Sequence, residues 1–428
     1  MRILLLGAAG FIGREVFAAL AARGHQVVPA VRSAASAPPF ATERAIVVDL
    51  DRDIAAGTWL PRLEGIDAVV NCAGILQGTR THSIDAIHRL SPIALFDACA
   101  QAGVRRVIQV SAISADRGAG TDYALTKLAA DDHLRASSLD WIVVRPSLVI
   151  ARGAFGGTAL LRAIAALPFA IPVPMAGDQR FQPIHVDDLA ALIVKALEGD
   201  ALVRRTIDAV GPEVVTLRAL LEDYRRWLGF EAVPVVSIPR GVVRAAARLA
   251  DSLGGPLNST SLAQLEYGNT GDYAAFEAAA GIEALGWKEQ LALHPAHLQD
   301  RWHARLHFVR PILRASLAVL WLVSGFAGLA ALRQWAPLVA SGTGLHVVPA
   351  GAALVVACVA DIAIAVLLMR RWKPRSLALV QVLVISGYTL FATILWPSLW
   401  AESLGPLLKN VPILAAVLAL GAIEEERR

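Results

Sequence analysis

A tyrosine and a lysine stand at a spacing that suits proton transfer. Tyr123 and Lys127 are four residues apart, so on a helix they share one face, one turn apart. A lysine ammonium close to a phenol favours the phenolate and lowers the tyrosine pKa towards neutrality. Such a phenol can pass a proton to or from a carbonyl oxygen. The pair therefore predicts acid–base chemistry at a carbonyl group.

Two serines precede this pair. Ser111 follows the predicted strand Val104 to Val110, and Ser114 lies three residues further on. A hydroxyl at this place could hydrogen-bond an oxyanion that develops on a substrate. Either serine could take that role, and Ser111 is our first candidate.

A glycine-rich turn near residue 10 predicts a phosphate site. Gly7, Gly10 and Gly13 follow a short apolar strand at three-residue spacing, and a helix is expected to begin near Phe11. Gly7 frees the backbone to turn, Gly10 lets a pyrophosphate approach, and Gly13 lets the helix pack on the strand. The N–H groups of this first helical turn, at Phe11, Ile12 and Gly13, would face the phosphates. A purely structural turn is the alternative.

The ends of the next strands offer contacts for a dinucleotide. Arg32 ends the second predicted strand, where an arginine can pair with the 2′-phosphate of NADP, and a solvent-facing side chain is the alternative. Asp49 and Leu50 end the third strand and could bracket an adenine edge. Ala73 and Gly74 follow the fourth strand, where small residues leave room for the cofactor. These residues predict NADP(H), with NAD(H) as the alternative.

Strands and helices alternate along the first half of the chain. Further strands are predicted at 25–32, 45–48, 67–71 and 104–110, with helices at 83–103 and 122–134. A helix at 216–228 and a strand at 232–238 are predicted later in the chain. Alternation at this spacing predicts an α/β fold, a Rossmann domain with a parallel, doubly wound sheet. The first apolar run is too short and too rich in glycine for a signal peptide, so we interpret it as the first strand.

Several ordered motifs resemble the short-chain dehydrogenase/reductase family. They are the glycine turn, Asp49-Leu50, Asn71-Cys-Ala-Gly74, the Tyr123/Lys127 pair, and the runs 141–147 and 182–188. More narrowly, residues 1–230 resemble the extended or atypical NAD(P)-binding epimerase/dehydratase type, which includes relatives of the nucleotide-binding accessory subunit of respiratory complex I.

The resemblance implies further site residues. Lys127 would hold the nicotinamide ribose, and Pro146, at the end of the sixth strand, would lie at the nicotinamide end of the site. Many family members carry the catalytic hydroxyl at the position that Ala112 occupies here. Ser111 or Ser114 would therefore have to serve instead.

The soluble part continues into a predicted substrate lobe. We place the NAD(P)-binding domain at residues 1–230, the rest of the substrate lobe with an amphipathic linker at 231–308, and a transmembrane domain at 309–428. Residues 154–177 are rich in Ala, Leu, Phe and Pro, so they either line an apolar substrate site or form a core helix and a loop. Arginines at helical spacing in 240–253 face lipid headgroups or, as we favour, water.

Four apolar segments predict an all-α membrane bundle. Residues 315–332, 347–369 and 376–396 carry a single charge, Asp361, and each segment can cross a bilayer at ~1.5 Å per residue. A fourth segment, 404–423, is interrupted by a lysine. This pattern resembles the DoxX-like family of small bundles. Asp361 then takes part in proton or quinone chemistry, or it pairs with a Ser, a Thr or Gln381 from another helix.

Basic residues predict the orientation of this bundle. Four arginines lie in 301–314, before the first span, and four Lys or Arg side chains lie in 370–375, between the second and third spans. Each remaining loop carries one. By the positive-inside rule, the Rossmann domain and the C-terminal residues 424–428 are expected in the cytoplasm, with the bundle in the cell inner membrane.

Composition argues against two kinds of partner. The net charge is only +4 over 428 residues, and no basic patch is interleaved with aromatics, so nucleic acid is not expected. Cys72, Cys99 and Cys358 have no paired or metal-like spacing, and we expect no metal site. His185 opens a predicted helix and is expected to be structural.

Taken together, the sequence predicts a membrane-anchored, NADP-preferring short-chain reductase. Hydride would pass between NADP(H) and a carbonyl or hydroxyl of a lipophilic substrate, with Tyr123 as proton donor, Lys127 as its electrostatic partner and Ser111 as oxyanion donor. One alternative is a nucleotide-binding assembly or redox-sensing factor for a membrane complex. Another is an epimerase or dehydratase that retains NAD.

Overall fold

The structure, a computed structural model, describes residues 1–39, 41–79, 81–253, 258–403 and 405–424. The chain forms two compact units, one of residues 1–304 and one from residue 305 onwards. The first unit contains the segments that we predict to bind the cofactor and the substrate. The second contains most of the predicted membrane segments.

The helices and strands of the described residues are as follows. The strands, in chain order, are β1 (Arg2–Leu6), β2 (Gln26–Val31), β3 (Ile46–Val47), β4 (Ala68–Asn71), β5 (Arg106–Val110), β6 (Asp140–Pro146), β7 (Val149–Ile150), β8 (Ile171–Pro174), β9 (Arg180–Phe181), β10 (Ile184–His185), β11 (Arg205–Ala209), β12 (Val215–Thr216) and β13 (Val235–Ile238). The helices are α1 (Phe11–Ala22), α2 (Ala56–Trp59), α3 (Ser91–Ala102), α4 (Asp122–Ala136), α5 (Gly156–Ala165), α6 (Val186–Glu198), α7 (Leu217–Trp227), α8 (Arg240–Leu253), α9 (Ser259–Tyr267), α10 (Tyr273–Ala280), α11 (Trp287–Leu293), α12 (Leu298–Ala330), α13 (Leu332–Thr343), α14 (Val347–Met369), α15 (Pro374–Leu395) and α16 (Asn410–Ile423).

The central sheet of the first unit is parallel and doubly wound, as predicted. Its seven strands lie in the order β11–β6–β5–β4–β1–β2–β3, and every neighbouring pair is parallel. The chain leaves β1 towards β2 and β3 and then returns to add β4 on the other side of β1. The crevice beyond the carboxyl ends of β1 and β4 is therefore the topological switch point, where such sheets bind ligands.

Helices cover both faces of this sheet. Val16 of α1 and Leu189 of α6 belong to the core on one face, and Phe96 of α3 and Leu134 of α4 belong to the core on the other. Since both faces are buried, the central strands are mostly apolar, and the buried amide side chains of Asn71 on β4 and Gln109 on β5 pair with each other. This burial fixes the strand ends that carry the candidate site.

One predicted helix, 83–103, departs from regular geometry. A π-helical turn at Ala86–Leu90 precedes α3. Pro92 lies at the start of α3 and has no N–H to donate to the carbonyl of His88, so the regular ladder of hydrogen bonds cannot continue there. The turn carries His88, which reappears in the candidate site.

The substrate lobe is made of short strand pairs and helices. β7 pairs with β10, β8 with β13 and β9 with β12. The lobe packs around the fully buried side chains of Tyr224 in α7 and Trp287 in α11. The predicted helix at 216–228 and strand at 232–238 correspond to α7 and β13.

Three helices of the described chain, α12, α14 and α15, are long and apolar enough to cross a membrane. They correspond to the first three predicted spans. The fourth prediction, 404–423, was too long, and residue 404 lies outside the described residues. α16 begins only at Asn410 because Gly405 has a φ of +51° and Pro406 follows it. Its 14 residues extend about 21 Å, less than a hydrocarbon layer of about 30 Å.

Polar side chains inside the second unit are paired with one another. Asp361 of α14 accepts hydrogen bonds from the Ser324 hydroxyl of α12 at 2.9 Å and from the Tyr388 hydroxyl of α15 at 3.0 Å. Gln381 accepts from the indole N–H of Trp321 at 2.9 Å. A serine was one of the partners predicted for Asp361, and Ser324 takes that place. Through Ser324 and Tyr388, Asp361 links the three helices α12, α14 and α15.

Candidate functional site

The loop between β1 and α1 depends on close backbone contacts. Gly7 has a φ of +71°, and a Cβ there would lie 2.9 Å from backbone atoms of Cys72 and Ala73. A Cβ at Gly13 would lie 2.1 Å from the carbonyl oxygen of Gly7. Both positions require glycine, because the loop is pressed between the first turn of α1 and the end of β4.

The N terminus of α1 offers donors for an anion. Gly10 is the N-cap and provides no side-chain cap, and the first turn holds no acidic residue. The N–H groups of Phe11, Ile12 and Gly13 belong to the first turn, so they have no acceptor within the helix. With the positive end of the helix dipole, these three groups suit a pyrophosphate.

Buried amides fix the end of β4. The Asn71 carbonyl oxygen Oδ1 accepts from the N–H of Ala73 at 3.0 Å, and its Nδ2 donates to Oε1 of Gln109 at 2.8 Å. A Cβ at Gly74 would lie 3.4 Å from Nζ of Lys127. The small residues after β4 therefore bring the glycine loop and the Tyr123/Lys127 helix to one place.

Tyr123 and Lys127 share one face of α4, as predicted. The Lys127 ammonium lies 5.8 Å from the centre of the Tyr123 ring and donates to the Val110 carbonyl oxygen at 3.2 Å. Lys127 is buried, whereas Tyr123 keeps partial exposure. The pair thus lies at the carboxyl end of β5, beside Gly74.

The predicted lowering of the tyrosine pKa was wrong for this state of the protein. Burial, and secondly the charge of Asp131, raise the pKa of Tyr123 to about 12. Burial also lowers the pKa of Lys127, although Asp131 and Cys72 oppose this. Proximity of the ammonium does not outweigh the cost of burying a phenolate. Tyr123 therefore holds its proton at neutral pH and is suited to donate it.

The serine predicted as oxyanion donor has another partner. The Ser111 hydroxyl donates to Oδ2 of Asp131 at 2.5 Å. Ser114 is also buried, with 3% of its surface exposed, and Ala112 supplies no hydroxyl. The role of Ser111 remains a prediction, with Ser114 as the other candidate.

Two site residues were missed by sequence reasoning. Asp131 lies four residues after Lys127, a spacing that was visible in the sequence. His88 accepts the N–H of Ile75 on Nε2 at 3.0 Å, and its ring lies edge-on to Tyr123 at 5.4 Å. Burial, with Lys127, lowers the pKa of His88 to about 2, so it stays neutral. No sequence motif marks His88.

The predicted adenosine contacts lie at the ends of β2 and β3. Arg32 is exposed directly after β2, with Nη1 3.5 Å from Nε2 of His82. His82 in turn contacts Asp51 at 2.8 Å. The Asp49 carboxylate accepts a hydrogen bond from the N–H of Asp51 at 3.2 Å. Leu50 packs against the core on the face of the sheet that α3 and α4 cover. Arg32 is therefore placed where it could meet a 2′-phosphate.

The end of β6 is held rigidly. The carbonyl oxygen of Pro146 accepts the N–H of Ile113 at 3.0 Å. Arg145 donates to both oxygens of Asp208 on β11, at 2.6 and 2.9 Å. This network fixes the backbone at Pro146, the position that the family resemblance places near the nicotinamide.

Apolar side chains border the glycine loop. Phe155, at the start of α5, is 67% exposed, and its ring stacks on that of Phe11 at 6.1 Å. Phe169, in the loop after α5, is 86% exposed. The segment 154–177 thus contributes exposed aromatic surface as well as the core side chains of α5.

His185 has a structural role, as the sequence favoured. Its Nδ1 accepts the N–H of Asp187 at 3.3 Å and caps α6, and its ring stacks on His294 at 5.0 Å. These three residues place potential metal-ligand atoms within 4.8 Å of one another.

Two families match separate parts of the chain. Residues 7–200 match the NAD(P)H-binding family, and residues 318–418 match the DoxX-like family. A ceramide reductase of Caulobacter vibrioides is 28% identical over 193 residues, which covers 45% of this chain and 59% of that protein.

Two other relatives are named as a subunit and as an assembly factor. NADH dehydrogenase (ubiquinone) 1 alpha subcomplex subunit 9 of Arabidopsis thaliana is 27% identical over 244 residues, covering 54% of this chain and 60% of that protein. The photosystem II assembly factor Ycf39 of Synechocystis is 24% identical over 244 residues, covering 57% and 72%. The chain spans 26% to 60% of the length of the first curated relatives that it matches.

Solved structures share the fold of the first unit. The Bordetella bronchiseptica enzyme WbmG, in complex with NAD and UDP, aligns with a TM-score of 0.55 at 17% identity, covering 71% of this chain and 96% of WbmG. A short-chain dehydrogenase/reductase superfamily protein from Agrobacterium tumefaciens with bound NAD aligns with a TM-score of 0.52 at 17% identity, covering 73% and 99%. The chain therefore combines an NAD(P)-binding Rossmann domain with a DoxX-like C-terminal membrane domain.

Proposed function

We propose that the protein is a membrane-anchored reductase that uses NADP(H) to reduce a carbonyl group of a lipophilic substrate. The observation that carries this proposal is the placement of Tyr123 and Lys127 on one face of α4, with the buried Lys127 ammonium 5.8 Å from the centre of the Tyr123 ring and next to Gly74. A carbonyl reduction needs one group that gives a proton to the oxygen, and Tyr123 meets that need at neutral pH.

The residues at the switch point suit the parts of the cofactor. The glycine loop and the N terminus of α1 would hold the pyrophosphate, Lys127 the nicotinamide ribose and Arg32 the 2′-phosphate. When bound, NADP(H) supplies the hydride. The chain's own residues exclude water, hold the proton and stabilise the charge left behind.

Tyr123 and Lys127 divide the proton chemistry between them. Tyr123 gives its proton to the substrate oxygen as the carbonyl carbon is reduced, and the Lys127 ammonium stabilises the phenolate that remains. In the reverse direction, the same phenolate takes the proton of a hydroxyl. Ser111 or Ser114 would donate a hydrogen bond to the oxygen while its charge develops.

Three features support a lipophilic substrate. Three helices in the described part of the chain are long and apolar enough to cross a membrane. Phe11 and Phe155 form an apolar border at the cofactor loop, and Phe155 is largely exposed. The relative from Caulobacter is named for ceramide, a lipid. The tether would keep the site near such molecules.

We place the bundle in the inner membrane with the Rossmann domain in the cytoplasm. The turn between α14 and α15 carries the four basic side chains Arg370, Arg371, Lys373 and Arg375. Such clusters favour the cytoplasmic side. The C terminus would lie on the same side, although residues 425–428 are outside the described part of the chain.

A second candidate function is a nucleotide-binding assembly or redox-sensing factor for a membrane complex. The hydrogen bond from Ser111 to Asp131 favours it, since it engages one of the two hydroxyls that catalysis would need. The names of the plant and cyanobacterial relatives point the same way. Under this function NADP(H) binds but is not consumed.

The test is deuterium transfer by the full chain in detergent. NADPH deuterated at nicotinamide C4 is supplied with long-chain ketones and aldehydes and, in parallel, with short polar carbonyls. The reductase predicts deuterium on the carbinol carbon of the long-chain products. Equal turnover of the polar carbonyls would remove the lipophilic assignment. No transfer to any carbonyl would favour the binding factor, and tightly retained NAD(H) without net consumption would favour an epimerase or dehydratase.

A further inference from the structure

Asp131 is a buried carboxylate directly behind the Tyr123/Lys127 pair. It lies four residues after Lys127 and eight after Tyr123, so all three side chains project from one side of α4. Its exposed surface is 0%. Oδ2 accepts the Ser111 hydroxyl at 2.5 Å, whereas Oδ1 has no hydrogen-bond partner among the described residues. A buried carboxylate with an unused oxygen is costly and calls for a reason.

The charges around Asp131 supply that reason. Burial raises the pKa of Asp131 to about 6, so it is ionised above neutral pH, where it faces cations on α4 and β6. Its charge favours the protonated form of Lys127. The titratable or charged groups that face this carboxylate or the Lys127 ammonium are Cys72, His88, Tyr123, Arg135 and Arg145.

We infer that Asp131 is a positioning residue, which keeps the Lys127 ammonium charged in its buried place and turns the Ser111 hydroxyl away from the substrate. The carbonyl of Val110 is the hydrogen-bond acceptor of Lys127, and it is neutral. A neutral acceptor alone does not hold a proton on a buried amine, because desolvation favours the uncharged form. Asp131 provides the opposing charge, and Ser114 is left as the hydroxyl for the substrate oxyanion.

This inference rests on the proposed role of Lys127 in holding NADP(H), and its test uses binding instead of turnover. NADPH affinity of the full chain in detergent is measured from pH 6.5 to 10 for wild type, Asp131→Asn and Asp132→Asn. The asparagine keeps the shape of the side chain and can still accept from Ser111. Asp132 is the matched control, because its side chain is 51% exposed and pairs with Arg135.

The expected result is a shift of the alkaline limit of binding. Affinity is lost as the pH rises through the pKa of Lys127, and in Asp131→Asn this loss moves to lower pH by about one unit. Asp132→Asn follows the wild-type curve. Thermal unfolding of each variant at pH 7 establishes that it is folded. An Asp131→Asn curve that coincides with wild type would overturn the inference.

A second variant tests the other half of the inference. Ser114→Ala should lower turnover about a hundredfold, the size seen when an oxyanion donor is removed, because the Ser111 hydroxyl is engaged by Asp131. Turnover within about threefold of wild type would contradict this. The two proposals fail separately. A wild-type protein without turnover in the deuterium experiment refutes the reductase, whereas unchanged pH limits of NADPH binding refute the role of Asp131.

Discussion

Asp131 in the first unit and Asp361 in the second are both buried carboxylates, with 0% and 4% of their surface exposed. Asp131 accepts one hydroxyl and lies among cations, including Lys127 and Arg145. Asp361 accepts hydroxyls on both oxygens, from Ser324 and Tyr388. Asp131 therefore influences the charge of groups next to the candidate cofactor site. Asp361 has both of its oxygens hydrogen-bonded between helices.

The difference shows what a buried carboxylate is for in each region. A carboxylate with an unused oxygen next to a lysine is poorly satisfied but changes the proton affinity of its neighbour. A carboxylate whose two oxygens both accept hydrogen bonds from other helices stabilises helix packing inside a membrane, because hydrogen bonds between helices contribute to their association there. We therefore expect changes in the first unit to alter cofactor chemistry and changes in the second to alter stability.

The largest contrast is expected from adding one methyl group in each unit. Gly13→Ala places a Cβ 2.1 Å from the Gly7 carbonyl, a backbone atom, so the phosphate loop must move. NADPH affinity should fall about a hundredfold or more. Gly328→Ala meets the Cys358 sulfur, a side-chain atom that can shift, and should leave NADPH affinity unchanged. Isothermal titration calorimetry on the full chain measures the NADPH affinity of both variants. An equal loss of affinity in the two would contradict the assignment of cofactor binding to the first unit.

Next in size is the pH dependence that Asp131 gives to stability. Its pKa is raised from 3.8 unfolded to about 6 folded, so the stability it contributes is present below pH 3.8 and is lost as the pH rises through 6. The unfolding free energy of wild type relative to Asp131→Asn should fall by about 3 kcal/mol between pH 4 and 7.

Thermal unfolding of the full chain in detergent measures this difference. The difference between the two proteins is needed because His88 acts in the opposite direction. Its folded pKa is lowered to about 2, so it destabilises the protein as the pH falls below 6.5, and it does so equally in both proteins. A difference that stays flat from pH 4 to 7 would show that the pKa of Asp131 is not raised in the folded state.

A smaller effect is expected at the adenosine end of the first unit. Arg32→Ala should weaken NADPH binding about tenfold and leave NADH binding unchanged, because it removes a charge-assisted hydrogen bond to the 2′-phosphate. Arg52→Ala is the control, since Arg52 is an exposed arginine beside Asp49. If Arg32→Ala weakened the binding of NADPH and NADH equally, the proposed preference for NADP(H) would be wrong.

The smallest effect is expected in the membrane unit. Tyr388→Phe removes one of the two hydroxyls on Asp361 and should cost about 1 kcal/mol of stability. Ser324→Ala should behave alike. Both variants should bind and oxidise NADPH as wild type does. A clear loss of turnover in either variant would show that Asp361 and its hydroxyl partners take part in the reaction. The proposed difference between the two units would then be wrong.

Local spacing was enough to predict much of this molecule. The glycine turn, the Tyr123/Lys127 helix and three apolar helices are encoded within short windows, and the order of strands and helices gives the parallel sheet. The late start of α16 is also encoded locally, by Gly405 and Pro406.

Other features depend on burial and on residues that are distant in sequence. The sign of the Tyr123 pKa shift follows from burial and from the charge of Asp131, which the spacing of Tyr123 and Lys127 does not report. The bond between Ser111 and Asp131 joins β5 to α4. His88 reaches the site because a π-helical turn places it there.

The most direct test of the central claim is Tyr123→Phe, measured for both NADPH affinity and deuterium transfer to a long-chain carbonyl. We expect Tyr123→Phe to keep the wild-type affinity for NADPH, because Lys127 and the glycine loop are intact. Deuterium transfer should fall by about 10²- to 10⁴-fold. A Tyr123→Phe protein that transfers deuterium at the wild-type rate would show that this phenol is not the proton donor.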